Sequence, residues 1–191
     1  MSEYLKKWEN RIHEFNIDPR TWHTQKHQVE HVDRKWIYQH VDEPVLDIGC
    51  GTAIDGLVIN EYVGLDVTPS FLMAAREFGV KNLVIGDARS LPFRNKCFNT
   101  GYTKDLLLHL PWDFAKKVIS ELLRCSKKTF IAWGINTEKG EPVFFTPTNK
   151  KNTSTELGGF LYNRFSRKRL KEICIVGDVV SGTSITEVKE K

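Results

Sequence analysis

Nowhere does the chain approach the roughly twenty consecutive apolar residues that a membrane-crossing helix requires, and its opening segment MSEYLKKWENR lacks the apolar core of a secretion signal. Cysteine is scarce: four residues, at 50, 97, 125 and 174, with no C-x-x-C pair and none at metal-ligand spacing from a histidine. That argues against a disulfide framework or a cysteine-based zinc site, and points to a reduced, cytoplasmic setting. A large excess of one charge is missing too. Lys and Arg number 28 against 24 Asp and Glu, a formal net charge of +4, which tolerates an anionic partner without demanding one. No repeat or low-complexity tract appears. The 191 residues, 40% hydrophobic, suffice for one sizeable core and fall short of two ordinary domains.

What is present is an alternation of apolar strands and helical segments from residue 44 to 133, which argues for a parallel sheet covered on both faces. Its most informative run is Pro44-Val45-Leu46-Asp47-Ile48-Gly49-Cys50-Gly51-Thr52-Ala53. This reads as a short strand opening into a glycine turn. Gly49 and Gly51 permit a tight turn and let the backbone press against a ligand, while Asp47 sets a carboxylate at the strand's edge. Tyr62-Val63-Gly64-Leu65-Asp66-Val67 is a second strand, closed by an acid where nucleotide-binding βαβ units bind ribose hydroxyls. The full G-x-G-x-x-G fingerprint is lacking, because Ile54 holds the third glycine's position; this opposes a nicotinamide-dependent oxidoreductase. Between the glycine turn and Tyr62 there is room for only about two helical turns. Thr68-Pro69-Ser70 starts a helix over Ser70–Phe78 and Gly79 stops it. A further helix, Trp112–Arg124, carries Phe114, Val118, Ile119, Leu122 and Leu123 as its buried stripe, and strand Phe130–Trp133 follows. Near the C-terminus, helix Ser166–Cys174 precedes two β-rich runs joined by Ser181-Gly182-Thr183, which suggests a hairpin.

Taken in order, these segments resemble the class I S-adenosylmethionine (SAM)-dependent methyltransferases, in particular the group called methyltransferase type 11. The first run is similar to that family's D-x-G-x-G-x-G, with Ala53 in place of the last glycine. Gly86-Asp87-Ala88 follows the apolar run Leu83-Val84-Ile85, Leu91-Pro92-Phe93 matches the family's "LPF" turn, and FNTGYTKDLLLHL over Phe98–Leu110 matches its fourth strand and D-x-x-x-H-L segment. Phe160-Leu161-Tyr162-Asn163-Arg164-Phe165-Ser166 resembles the Y-x-R-F/Y-S opening of its last helix. The resemblance runs from about Val45 to the C-terminus. It implies an α/β fold, a Rossmann-like, mainly parallel sheet with helices on both faces and a C-terminal antiparallel hairpin. It further implies a single domain over 1–191, in which 1–40 is a helical cover, 41–135 the cofactor core, 136–159 a polar loop and 160–191 the last helix and hairpin. SAM is the implied cofactor. Asp47 is expected at its amino-acid portion, Gly49, Cys50 and Gly51 in the turn against it, and Asp66 with Val67 at its ribose. Asp87 and Ala88 are expected at adenine, and Thr103 beside the cofactor at the fourth strand. Cys50 reads as a small packing residue there rather than a nucleophile.

Asp105 and His109, four residues apart, would share one face of a helical turn and face the transferable methyl. Each is a candidate proton acceptor; the alternative for His109 is a hydrogen bond that merely steadies the loop. His23, His27 and His31 recur at helical spacing, yet three successive turns of one helix rarely wrap a tetrahedral ion, so no metal site is expected. The aromatic-rich N-terminal segment instead reads as amphipathic helices over the pocket, with Trp8, Trp22 or Trp36 among the acceptor's walls. Arg164, Arg167, Lys168, Arg169 and Lys171 form a basic cluster that reads as a solvated helix face, with an RNA-facing patch as the alternative. Thr103-Lys104-Asp105 stands where amino-methylating nucleic-acid enzymes carry Asn/Asp-Pro-Pro-aromatic, and there is no Pro-Cys dipeptide of the cytosine C5 enzymes. The expected reaction is in-line methyl transfer to an O or N nucleophile of a small molecule, governed by positioning. A tRNA or protein side chain as acceptor, or SAM binding without catalysis, are the alternatives.

Overall fold

The computed structural model describes residues 32–132, 135–136, 165–181 and 183–191, with short stretches before them at 6, 9–10, 12–13 and 18–21. Helix α1 (Val32–His40) leads into β1 (Val45–Ile48), a 3-10 turn (Ile54–Leu57) and β2 (Tyr62–Asp66). Next come α2 (Pro69–Glu77), β3 (Leu83–Ile85), β4 (Phe98–Lys104), a second 3-10 turn (Leu107–His109), α3 (Trp112–Cys125) and β5 (Ser126–Ala132). The two-residue strands β6 (Ile135–Asn136) and β7 (Phe165–Ser166) pair with each other, and α4 (Arg167–Leu170), β8 (Ile175–Val179) and β9 (Ile185–Lys189) complete the order.

Seven strands form one sheet in the order β3-β2-β1-β4-β5-β9-β8. The pairs from β3 through to β5 are parallel, and β9 runs antiparallel to both β5 and β8. This is the expected mainly parallel sheet with a C-terminal antiparallel hairpin. The chain steps outward from β1 to β2 and β3, then returns to β4 on β1's other side. Such a reversal leaves a crevice at the carboxyl ends of the strands.

Side chains alternate between the two faces of each strand. Leu46 and Ile48 pack in one core with Val118, Ile119 and Leu122 of α3, whereas Val45 packs in the other with Ile37 of α1 and Leu72 and Ala75 of α2. Both faces are therefore covered, as a parallel sheet requires. Asp47 shares Val45's face.

Four elements differ from the sequence reading. The first crossover holds a single 3-10 turn rather than two helical turns. Helix α2 begins at Pro69 and ends at Glu77, with Gly79 at φ +99° just beyond. Strand β5 starts at Ser126, directly after α3, rather than at Phe130. Lys127 and Lys128 hide that start in the sequence; Ser126 Oγ donates to Leu122 O at 2.6 Å, and Lys128 pairs with Asp42 at 2.8 Å. Lastly, α4 spans one turn, capped by Ser166 Oγ accepting from Arg169 N, where a helix to Cys174 was expected.

Trp36 stacks on His40 at 4.3 Å between ring centroids and meets Phe130 edge-on at 5.1 Å. It belongs to the packing of α1, away from the cavity described below, which corrects its expected place in an acceptor wall. Trp8, Trp22, the histidines at 23, 27 and 31, and the bulk of the polar loop with Lys150, Lys151 and Arg164 lie outside the described residues. Where the N-terminal segment is described, it lies along α2: the Glu9 carboxylate accepts from Ser70 N at 3.2 Å and from Ser70 Oγ, and Ile12 is buried.

Candidate active site

A cavity opens where the strand order reverses, at the carboxyl ends of β1 to β4. Gly49 and Gly51 line it after β1, Asp66, Val67 and Thr68 at β2, and Asp87, Ala88 and Arg89 after β3. Lys104, Asp105, Leu106 and His109 line it from β4 onward, and Phe114 from α3. Its volume is about 180 Å³.

The glycine turn is built for close approach. Gly49 has φ +71°, and a Cβ there would stand 2.8 Å from Leu106 Cβ. Its N–H donates to Leu65 O at 2.8 Å, and Gly51 N–H donates to Asp66 Oδ2 at 2.8 Å. Asp66 Oδ1 accepts from Thr68 N at 2.9 Å. One acid thus ties the turn after β1 to the start of α2 while lining the cavity. Burial raises the Asp66 pKa and these backbone donors oppose the rise. Ala53, at the position of the family's last glycine, has φ 52°. The left-handed backbone is kept, at a cost of about 1–2 kcal/mol for a non-glycine residue.

After β3, Arg89 grips Asp87: Nη2 reaches Oδ2 at 2.6 Å, Nε reaches both oxygens at 3.0 Å, and the Arg89 N–H reaches Oδ1 at 2.9 Å. Burial works against the Asp87 charge, yet the Arg89 hydrogen bonds win and hold its carboxyl below the usual range. The same guanidinium lies 4.0 Å from the Phe114 ring centroid. Arg89 was not singled out from the sequence, where an arginine after a turn reads as solvated.

At β4, Lys104 Nζ meets Asp105 Oδ2 at 2.6 Å, with the lysine side chain 9% exposed and the aspartate 41%. Asp105 has φ 61°, a left-handed backbone that Asp and Asn adopt more readily than other non-glycine residues. His109 closes the 3-10 turn, its N–H bonded to Leu106 O at 3.0 Å. The structure brings Gly49, Gly51, Asp66, Val67, Asp87, Ala88, Asp105 and His109 to one cavity.

Asp47, Cys50 and Thr103 are not among its walls. Asp47 faces the α1–α2 side of the sheet, where it accepts from Tyr62 Oη at 2.8 Å and is 4% exposed. Strand alternation decides this: an acid in the register of Val45 points into the core, not beyond the strand's end. Close by lies Asp55, which accepts from Arg34 Nε at 2.8 Å, Tyr38 Oη at 2.7 Å and Tyr102 Oη at 2.8 Å. Burial, reinforced by the Asp55 charge, pushes the Asp47 carboxyl up to about 7. Cys50 packs its Sγ beside Gly64, and burial with the Asp66 and Asp47 charges raises its thiol pKa, which suits packing rather than nucleophilic attack. Thr103 is buried with no hydrogen-bond partner for its hydroxyl, and its register partner Ile131 belongs to the α3-side core. No group of three or more His, Cys, Asp or Glu among the described residues could hold a metal ion.

Three kinds of known protein resemble this chain. A family profile described as "Methyltransferase domain" matches residues 46–130. An uncharacterised protein of Methanocaldococcus jannaschii is 37% identical over 70 residues, which is 36% of this chain and 28% of that one; the chain thus spans under a third of that relative's length. Among solved structures, a SAM-dependent methyltransferase of Thermotoga maritima is similar with a TM-score of 0.61 at 14% identity, covering 96% of this chain and 99% of that one. The magnesium protoporphyrin IX methyltransferase of Synechocystis, solved with bound S-adenosylhomocysteine, has a TM-score of 0.58 at 15% identity, covering 85% and 83%. These structural likenesses establish the shared fold.

Proposed function

We propose that the chain binds SAM in this cavity and methylates a small molecule, a reading supported by the match of residues 46–130 to a methyltransferase-domain profile and by the shared fold. The observation that carries the reading is Asp66, a buried acid that pins the glycine turn and lines the cavity at the end of β2. Those features fit a nucleoside: a diol needs a fixed acceptor, and the turn at Gly49 has no Cβ to obstruct close approach. SAM, when bound, supplies a methyl already activated on a sulfonium.

The chain's residues then have mainly to position. Asp66 and Val67 take the ribose, Asp87 and Ala88 the adenine, and Gly49 and Gly51 allow the backbone to come close. Arg89 acts on Asp87, keeping it ionised as an acceptor for an amino group. His109 stands on the β4 side of the cavity, where it can take a proton from an O–H or N–H nucleophile if the acceptor sheds one. We read 1–191 as one domain, with 1–40 and 136–159 as cover; the bond from Ser70 to Glu9, beside the cavity residue Phe71, supports the N-terminal half of that cover. The modest charge favours a small acceptor over a nucleic acid, which would need a continuous basic track. Among the described residues, no helix is long and apolar enough to cross a membrane.

Asp66→Ala tests the reading. It removes a charged acceptor for ribose hydroxyls, a loss of roughly 1.5–3 kcal/mol, so S-adenosylhomocysteine affinity measured by calorimetry is expected to drop about tenfold to a hundredfold. Unchanged affinity would contradict the placement of ribose at Asp66.

A further inference from the structure

We propose that Cys97 and Cys125 form a site of reversible oxidation, a thiol pair that a hydroperoxide converts into a disulfide joining the start of β4 to the end of α3. Both are free thiols in the structure. They lie too far apart in sequence for any spacing motif to mark them, and the inference is independent of the SAM reading.

Backbone register is the first reason. Phe98, which follows Cys97, pairs with Ser126, which follows Cys125. Lys96, which precedes Cys97, donates its N–H to Arg124 O at 2.8 Å. The two cysteines sit between these ties. Neighbouring strands run about 4.8 Å apart, and a disulfide spans Cα atoms roughly 4.4–6.8 Å apart, so the backbones already stand at bridging distance. Lys96 fixes the approach. With a left-handed backbone at φ 51°, it donates from Nζ to Leu123 O at 2.8 Å and to Ser126 O at 3.2 Å.

Chemistry is the second reason. Cys97 is exposed and Cys125 buried, the unequal access of an oxidisable thiol beside its resolving partner. Glu121 holds the Arg124 guanidinium charged, and the charges of both thiolates act on it as well, so the two sulfurs lie about one cation. Burial pushes the Cys125 thiol up to about 11, which keeps it protonated and leaves the first attack to Cys97. The Cys97 thiolate attacks one oxygen of hydrogen peroxide; the O–O bond breaks, a sulfenic acid forms, and the departing hydroxide takes up the thiol's proton as water. Cys125 Sγ then attacks the Cys97 sulfur, the S–O bond breaks, and hydroxide leaves with the Cys125 proton as a second water. Two electrons pass from the sulfurs to the peroxide. The bridge lies at the amino end of β4, away from the cavity, yet it closes a loop that carries Lys104, Asp105, His109 and Phe114 of the cavity wall. Oxidation therefore restrains that wall without blocking it.

Peptide mass spectrometry on the full chain tests this. After treatment with hydrogen peroxide, free thiols are alkylated in denaturant and the protein is digested. The Cys97 and Cys125 peptides are expected to be joined, with Cys50 and Cys174 alkylated, and dithiothreitol is expected to separate them. The melting temperature of the oxidised chain is expected to rise by about 5–10 °C. Cys97→Ser, a surface change, is expected to abolish both the bridge and the rise. Cys125→Ala is expected to leave Cys97 as a sulfenic acid that dimedone captures. Full alkylation of Cys97 and Cys125 after peroxide, Cys97 joined only to Cys97 of a second molecule, or a rise that persists in Cys97→Ser would overturn the pair.

Discussion

Replacing Arg34 with methionine is expected to cost about 3–5 kcal/mol of folding stability, read from denaturant unfolding. The Arg34 side chain is 11% exposed and that of Asp55 3%. Removing the guanidinium leaves Asp55 as an uncompensated charge next to Asp47, inside a core of Ile37, Tyr62 and Tyr102. Burial alone would lower the Arg34 pKa, and the Asp55 charge and hydrogen bond reverse that and raise it, so the guanidinium stays charged. A second change, Asp55→Asn in the same background, is expected to recover much of the loss, because it removes the stranded charge, keeps one oxygen to accept from one of the Tyr38 and Tyr102 hydroxyls and turns an amide N–H toward the other. A loss under about 1 kcal/mol for Arg34→Met would show that the pair behaves like an exposed one. Because Asp55 lies in the 3-10 turn that follows the glycine turn, this network also braces the glycine turn from behind.

The second large effect is a pH dependence centred on Asp47. Its folded pKa of about 7 stands above the unfolded value near 3.9, so the folded state binds more protons between those limits. Stability contributed by the group is full below about pH 4, falls as pH rises toward 7, and is flat above; the whole change is about 4 kcal/mol. Asp47→Asn does not titrate and retains an oxygen for the Tyr62 hydroxyl. From pH 5 to pH 8 the variant is therefore expected to gain on the wild type by an increasing margin in unfolding free energy. Asp87, whose pKa is lowered, acts at more acid pH and leaves this window clear. A gap between the two proteins that stays constant with pH would show that Asp47 is ionised throughout.

Much of this was legible in the sequence because it is written in local signals. Apolar runs mark the strands, and Gly49 and Gly51 mark a turn whose φ angles favour glycine. Asp66 and Asp87 stand at or just after strand ends, where their position alone brings them to the cavity. The rest depends on information that local patterns do not carry. Whether Asp47 points beyond β1 or into the core follows from which face Val45 occupies. Arg34 and Tyr38 reach Asp55 across 21 and 17 positions, a pairing set by how α1 crosses the sheet. Lys104 and Arg89 look like ordinary surface cations in a sequence, and only the fold shows each held against an acid in the cavity wall. Lys127 and Lys128 masked the start of β5 for the same reason.

The most direct test of the account is equilibrium titration of the wild-type chain with S-adenosylhomocysteine and, separately, with NAD. One-to-one binding of S-adenosylhomocysteine, with no measurable binding of NAD over the same concentration range, is the predicted result. Binding of NAD with none of S-adenosylhomocysteine would contradict it and assign the cavity to another nucleotide chemistry.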